Sequence, residues 1–147
     1  MRKKLGIFGE EKNDENIINN LLSWMNKKKS DYTNTFNSLI KEDLTKNKLF
    51  QDKNFIDWYK QWTQRKKKDN KSDQLSLNLM QSNNPLIIPR NYTIEKVLSE
   101  ATHNKNLKPT NELLEVLKNP YKNQPKTINY ISTPKKNNKI YKTFCGT

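Results

Sequence analysis

The chain has 147 residues, a length that suits one domain, with no second compositional block to argue for two. Apolar residues make up only 32% and the mean hydropathy is −1.10, a polar balance that predicts a thin core in need of outside support. One cysteine excludes an internal disulfide, and one cysteine with one histidine excludes a zinc site of the usual four ligands.

The formal charge of +13 raises nucleic acid as a partner, because clustered cations gain phosphate affinity by releasing counterions. Among the 28 basic residues, however, only Arg2, Arg65 and Arg90 carry the planar guanidinium fork that phosphate and base readers use. A lysine and asparagine excess also arises from an AT-rich genome, so nucleic acid is disfavoured as a partner. No run approaches the roughly 18 apolar residues of a membrane span, and "MRKKLGIFGEEKN" has too short an apolar stretch for a secretory signal. The expectation is a cytoplasmic protein with no membrane partner.

After the cap-rich "NDEN", Ile17, Ile18, Leu21, Leu22, Trp24 and Met25 recur at helical spacing, which predicts a helix from about Asp14 to Lys27. Next, Ser30 or Asp31 can cap a helix carrying Tyr32, Phe36, Leu39 and Ile40 on one face. A third helix is predicted from Asp52 to Lys68, with Phe55, Ile56, Tyr59 and Trp62 as its stripe and Trp58 broadening it. Tryptophans at such spacing belong to a core rather than to a stacking platform for a ligand. Lys66, Lys67 and Lys68 close that helix as a solvated turn that complements the dipole.

"DQLSLNLMQ" has leucines at alternate positions, the period of a strand, while Leu75, Leu79 and Met80 also fit a helix face. The prolines of "NNPLIIPRN" interrupt the pattern, and Arg90 within it either pins the loop or reaches toward a ligand. A further helix carries Ile94, Val97, Leu98 and Ala101, and another, Thr110 to Lys118, carries Leu113, Leu114 and Leu117 before Pro120. His103 reads as a surface residue. Beyond Tyr121 no period is sustained, so residues 1–121 form a helical subdomain and 122–147 an extended tail.

Catalytic constellations are sparse. There is no glycine-rich phosphate cradle, no Gly-x-Ser-x-Gly elbow and no His-Glu-x-x-His helix. The carboxylates of Asp14 with Glu15, and of Glu42 with Asp43, stand at helix ends where capping and surface charge explain them. Composition and spacing alone describe a helical interaction or support module; a free-standing basic module that binds nucleic acid or anionic surfaces is the alternative reading.

The segments "MRKKLGIF", "DENIINNLLSWM", "DYTNTFNSL", "FIDWYKQWTQR", "NPLIIPRNYTIEKVLSEA", "LLEVLKNPY" and the terminal "FCGT", in this order, resemble the C-terminal region of selenoprotein O and its bacterial homologues. The resemblance covers essentially the whole chain. It implies a mainly α fold, the helical C-terminal part of a protein-kinase-like (pseudokinase) architecture with an irregular tail. It also implies transfer of AMP from ATP to protein hydroxyls with magnesium or manganese, by residues that the family carries N-terminal to everything matched here. On that reading this chain holds no catalytic, cofactor or metal residues and is inactive alone. Its partners are the catalytic region, in the same protein or as a separate chain, and the protein substrates of the whole enzyme. Met1 matches an internal position of the family, so the expectation is a C-terminal piece: an engineered fragment, a proteolytic product or a shortened reading frame. Cys145, third from the end, matches the family's selenocysteine or cysteine, which implies a redox-regulatory thiol whose disulfide partner lies outside this chain.

Overall fold

In a computed structural model of the chain, the structure describes residues 1–41, 44 and 47–131, and the described residues are helical with no strand. They form α1 (Asp14–Lys28), α2 (Tyr32–Lys41), α3 (Lys53–Lys68), α4 (Asp73–Asn83), α5 (Asn91–His103), α6 (Lys108–Leu117) and α7 (Ile128–Ile131), with single 3-10 turns at Arg2–Leu5 and Lys48–Gln51. The chain divides into two compact units, Met1–Pro85 and Leu86 onward. That division falls inside the stretch 1–121 that the sequence treats as one subdomain.

The first unit is built on an antiparallel pair, α1 against α3. The buried stripe of α1 is Asp14, Ile17, Leu21, Trp24 and Met25; that of α3 is Phe55, Trp58, Trp62 and Arg65. Both follow a three-to-four spacing, so each helix turns one narrow face inward. The α3 stripe is rotated from the expected one: Ile56 is 42% exposed and Tyr59 half-buried, while Trp58 and Arg65 lie inside. Ring contacts run along the seam, Trp24 to Phe55 at 4.7 Å between centroids, Phe55 to Trp58 at 5.4 Å and Trp58 stacked on Trp62 at 5.5 Å. Each indole N–H finds an acceptor: Trp58 donates to the Ile17 carbonyl and Trp62 to the Leu5 carbonyl, both at 2.8 Å, and Trp24 to Asp52 Oδ1 at 3.0 Å. No buried indole donor is orphaned, so the aromatic area is buried without the desolvation cost of an unpaired N–H.

This unit corrects the expectation of a core that needs outside cover. All three tryptophans are at most 5% exposed and share one cluster with Leu5, Ile7, Phe36, Leu39, Phe50 and Met80. The hydropathy average misjudges it because most polar residues lie on outer helix faces and in connections, while the few buried ones, such as Asp14 and Arg65, are paired.

α4 resolves the ambiguous segment as a helix. Ser72 caps it, its hydroxyl accepting the Leu75 N–H at 3.3 Å, and Asp73 lies in the first turn. Its inward face is Ser76, Met80 and, just beyond the helix, Asn84, whereas Leu75 is 49% exposed. The alternating leucines therefore mislead: α4 is shaped to the N-terminal turn, not to the main aromatic seam. Gly6 ends that turn in the left-handed region, φ +69°, and its carbonyl accepts the Ser76 hydroxyl at 2.9 Å. A Cβ at Gly6 would collide with Ser76 Oγ and come within 3.0 Å of Met80 Cγ. Asn84 then donates to the carbonyls of Lys4 at 2.8 Å and Met80 at 2.9 Å. Asp31 caps α2, its carboxylate accepting the Asn34 N–H at 2.8 Å, and the helix buries Phe36 and Leu39.

The second unit pairs α5 with α6. Val97, Leu113 and Val116 are buried, and Thr110 donates to the Val97 carbonyl at 3.2 Å. Pro109 opens α6, where its missing N–H costs nothing. The Pro120 carbonyl accepts the N–H groups of Leu86 (2.8 Å) and Ile87 (3.3 Å), which fastens "NPLII" to "NPY". Past Tyr121, Gln124 Nε2 donates to the carbonyls of Val116 and Asn119 at 3.1 and 3.0 Å, and Thr127 is fully buried. As far as Ile131 this stretch is thus tied to α6 and ends in the one-turn α7, for which the sequence carries no periodic signal.

Candidate functional site

The strongest concentration of charge in the described residues lies where α1 begins and α3 ends. Arg65 is buried, and its Nε meets Asp14 Oδ1 at 2.6 Å while Nη2 meets Oδ2 at 3.3 Å, a two-point grip on one carboxylate. Nη1 reaches Asp69 Oδ1 at 2.7 Å, one helical turn onward. The Asp69 carboxylate also accepts the backbone N–H of Phe8 at 2.9 Å and of Gly9 at 3.3 Å, and Asp14 accepts that of Glu11 at 3.0 Å. Lys68 and Arg2 complete the rim, pairing with Glu11 at 3.0 Å and Glu10 at 2.9 Å.

Antiparallel packing explains the arrangement. An acidic first turn on α1 and a basic last turn on α3 each suit their own dipole, and the pairing of the helices brings the two together. Burial works against the Arg65 charge, but the hydrogen bonds and charges of Asp14 and Asp69 outweigh it and raise the guanidinium further above its ordinary value. Burial likewise pushes the Asp69 carboxyl up, yet Arg65 and the two backbone donors together hold it below the usual carboxylate range. Chemically this is a closed ion network: the carboxylate oxygens are met by donors, and an arginine this well matched does not exchange its proton. It joins the N-terminal segment to α3 and offers no general acid or base. At the other end of the pair, Asp52 faces Lys28 at 2.6 Å and the Trp24 N–H, and Lys28 holds its carboxyl below the ordinary value.

The expected site residues are scattered by the fold. Trp58 and Trp62 are core, as their spacing suggests, and Lys66 and Lys68 are engaged, Lys66 lying 4.1 Å over the Trp62 ring. Asp14, expected as surface charge, is 1% exposed and paired with Arg65; Glu42 and Asp43 lie outside the described residues, as does Cys145. Arg90 is half-buried and precedes α5, its carbonyl accepting the Ile94 N–H at 3.0 Å. His103 is exposed at the end of α5, with Nδ1 3.1 Å from Thr102 Oγ1. The Arg65 network itself escapes sequence reading, although one signal marks it: in a chain so rich in lysine, a retained arginine points to a two-point carboxylate contact that lysine cannot reproduce.

The described residues present no donor set for a metal–nucleotide complex. Among the described residues no three His, Cys, Asp or Glu side chains converge, and the two most buried carboxylates, Asp14 and Asp69, are turned onto Arg65. Nor is any helix among them long and apolar enough to cross a membrane.

Comparison with known proteins bears on what this arrangement serves. The family model described as protein adenylyltransferase SelO matches residues 1–118. The chain is similar to proteins named protein nucleotidyltransferase YdiU: 42% identical over all 147 residues to those of Nitrosococcus oceani and Bacillus cereus (strain ATCC 10987), and 41% to that of Bacillus anthracis. In each case the match covers 100% of this chain and 30% of the relative's length. The segments that make the buried network and its surroundings, from Arg2 through the end of α3, all fall within the matched region. The chain belongs to the SelO/YdiU nucleotidyltransferase family.

Proposed function

We propose that this chain is the helical C-terminal part of a protein adenylyltransferase with a pseudokinase fold, an enzyme that moves AMP from ATP onto Ser, Thr or Tyr hydroxyls of proteins. The observation that carries this reading is the match over the whole chain to relatives of which it spans 30%. The chain completes the enzyme structurally, and the groups that hold ATP and magnesium or manganese belong to the remaining length. Residues 122–147 carry Cys145, a redox-regulatory thiol toward a thiol of that region, and the whole works in the cytoplasm. Alone, the chain transfers nothing, because the groups that hold the nucleotide and the metal lie outside it. Incubated with labelled ATP, magnesium or manganese and a generic protein acceptor, the isolated chain is expected to leave the acceptor unlabelled; robust AMP incorporation refutes the assignment.

The net charge of +13 sustains one second reading, a free-standing basic module for nucleic acid or anionic surfaces. Retention on duplex DNA with a steep salt slope supports that module, and weak, sequence-indifferent retention supports the transferase part.

A further inference from the structure

We propose that one broad side of the α5–α6 hairpin, carrying Leu98, Leu107 and Leu114, packs against the part of the family protein that lies outside this chain, an inference that rests on the reading of the chain as the C-terminal part of that protein. These three are the most exposed large apolar side chains among the described residues, at 51%, 60% and 54%. They also lie in the unit with the smaller core. From Leu86 onward the buried apolar side chains among the described residues are Ile87, Val97, Leu113 and Val116, whereas the first unit seals a continuous aromatic cluster. Single apolar side chains scattered over a surface are ordinary; three on one side of the thinnest helix pair mark a face made to be covered.

Helix geometry places them together. α5 and α6 turn back on each other through residues 104–107, and the bond from the Thr110 hydroxyl to the Val97 carbonyl sets their register. Leu98 follows buried Val97 and Leu114 follows buried Leu113, each by one step of about 100° around its helix. In an antiparallel pair, equal steps away from facing positions turn toward the same side. Leu107, the residue before α6, stands two turns ahead of Leu114 and so shares its side.

The comparisons indicate the occupant. The family model runs through both helices of the hairpin, to residue 118, and the greater part of each relative's length lies outside the match. A body of that size joined to this chain must rest on some of its surface, and contacts between parts of one chain favour apolar faces that are left open.

Thiol labelling tests the face. Leu98→Cys, Leu107→Cys, Leu114→Cys and the control Leu75→Cys, an exposed position of the first unit, are each made in a chain carrying Cys145→Ser. In the isolated chain all four should label within about threefold of one another, at rates independent of protein concentration. Joined to the part of the Bacillus cereus relative that this chain does not match, the three hairpin positions should label at least about tenfold more slowly, and Leu75→Cys should not. The same fusion with native residues at these positions is assayed for AMP transfer in parallel. The face is overturned by unchanged labelling at the hairpin, by equal slowing at Leu75→Cys, or by slowing already present in the isolated chain; slowing there that grows with concentration assigns the face to a second copy instead. Protection of the hairpin without AMP transfer keeps the face and refutes the transferase reading, transfer without protection does the reverse, and absence of both overturns both.

Discussion

Replacing Arg65 with methionine keeps the length of the stem and deletes the charge, leaving buried Asp14 with only Arg2, at 4.0 Å, as a counter-ion. Breaking one side of such a pair costs about 3–5 kcal/mol, so Arg65→Met should lower the urea midpoint sharply. The double variant Arg65→Met with Asp14→Leu should recover part of the loss, since an apolar pair needs no neutralisation. Asp69 supplies the pH dependence of the same cluster. Its folded pKa is depressed, so the unfolded chain takes up the proton first as the solution is acidified. Its contribution is whole above the ordinary carboxyl pKa of about 3.9 and is lost as pH falls through the lower folded value. Stability of the native chain measured from pH 6 to pH 2 should therefore fall more steeply than that of Asp69→Asn. At Gly6 the demand is steric and conformational together. Gly6→Ala places a Cβ against Ser76 Oγ at φ +69°, and a left-handed non-glycine residue alone costs of order 1–3 kcal/mol, a loss that thermal melting can read.

Helix ends carry the next level of specification. α1 stops at Lys29 in the left-handed conformation, φ 49°, where its N–H satisfies the Asn26 carbonyl. Glycine is the residue that geometry favours, so Lys29→Gly should stabilise by about 0.5–1 kcal/mol in chemical denaturation. Most elements are legible from the sequence: α1, α2, α3, α5 and α6 lie within a few residues of their predicted spans, because a helical apolar period and local caps are properties of neighbouring residues. α4 is not, since its buried face of Ser76, Met80 and Asn84 is set by Gly6 and Lys4, some seventy to eighty positions away in the chain. The face of α3 is likewise displaced toward Trp58 and Arg65, because α1 stands on that side.

At the scale of the whole chain, the three tryptophans report on one unit alone, as all lie before Pro85. A chain ended at Pro85 is expected to retain the native tryptophan emission and a cooperative melt followed by it. Loss of that emission would mean that the first unit depends on residues from Leu86 onward.

By itself the sequence determined the helical class, the core roles of Trp58 and Trp62 and the family, because these rest on local period and on motifs in a fixed order. The buried Arg65 network, the cover that α4 gives the N-terminal turn and the full burial of the tryptophan cluster were decided only by tertiary structure. Each joins residues from distant parts of the chain, and average hydropathy does not register how those side chains are partitioned between the two faces of a helix.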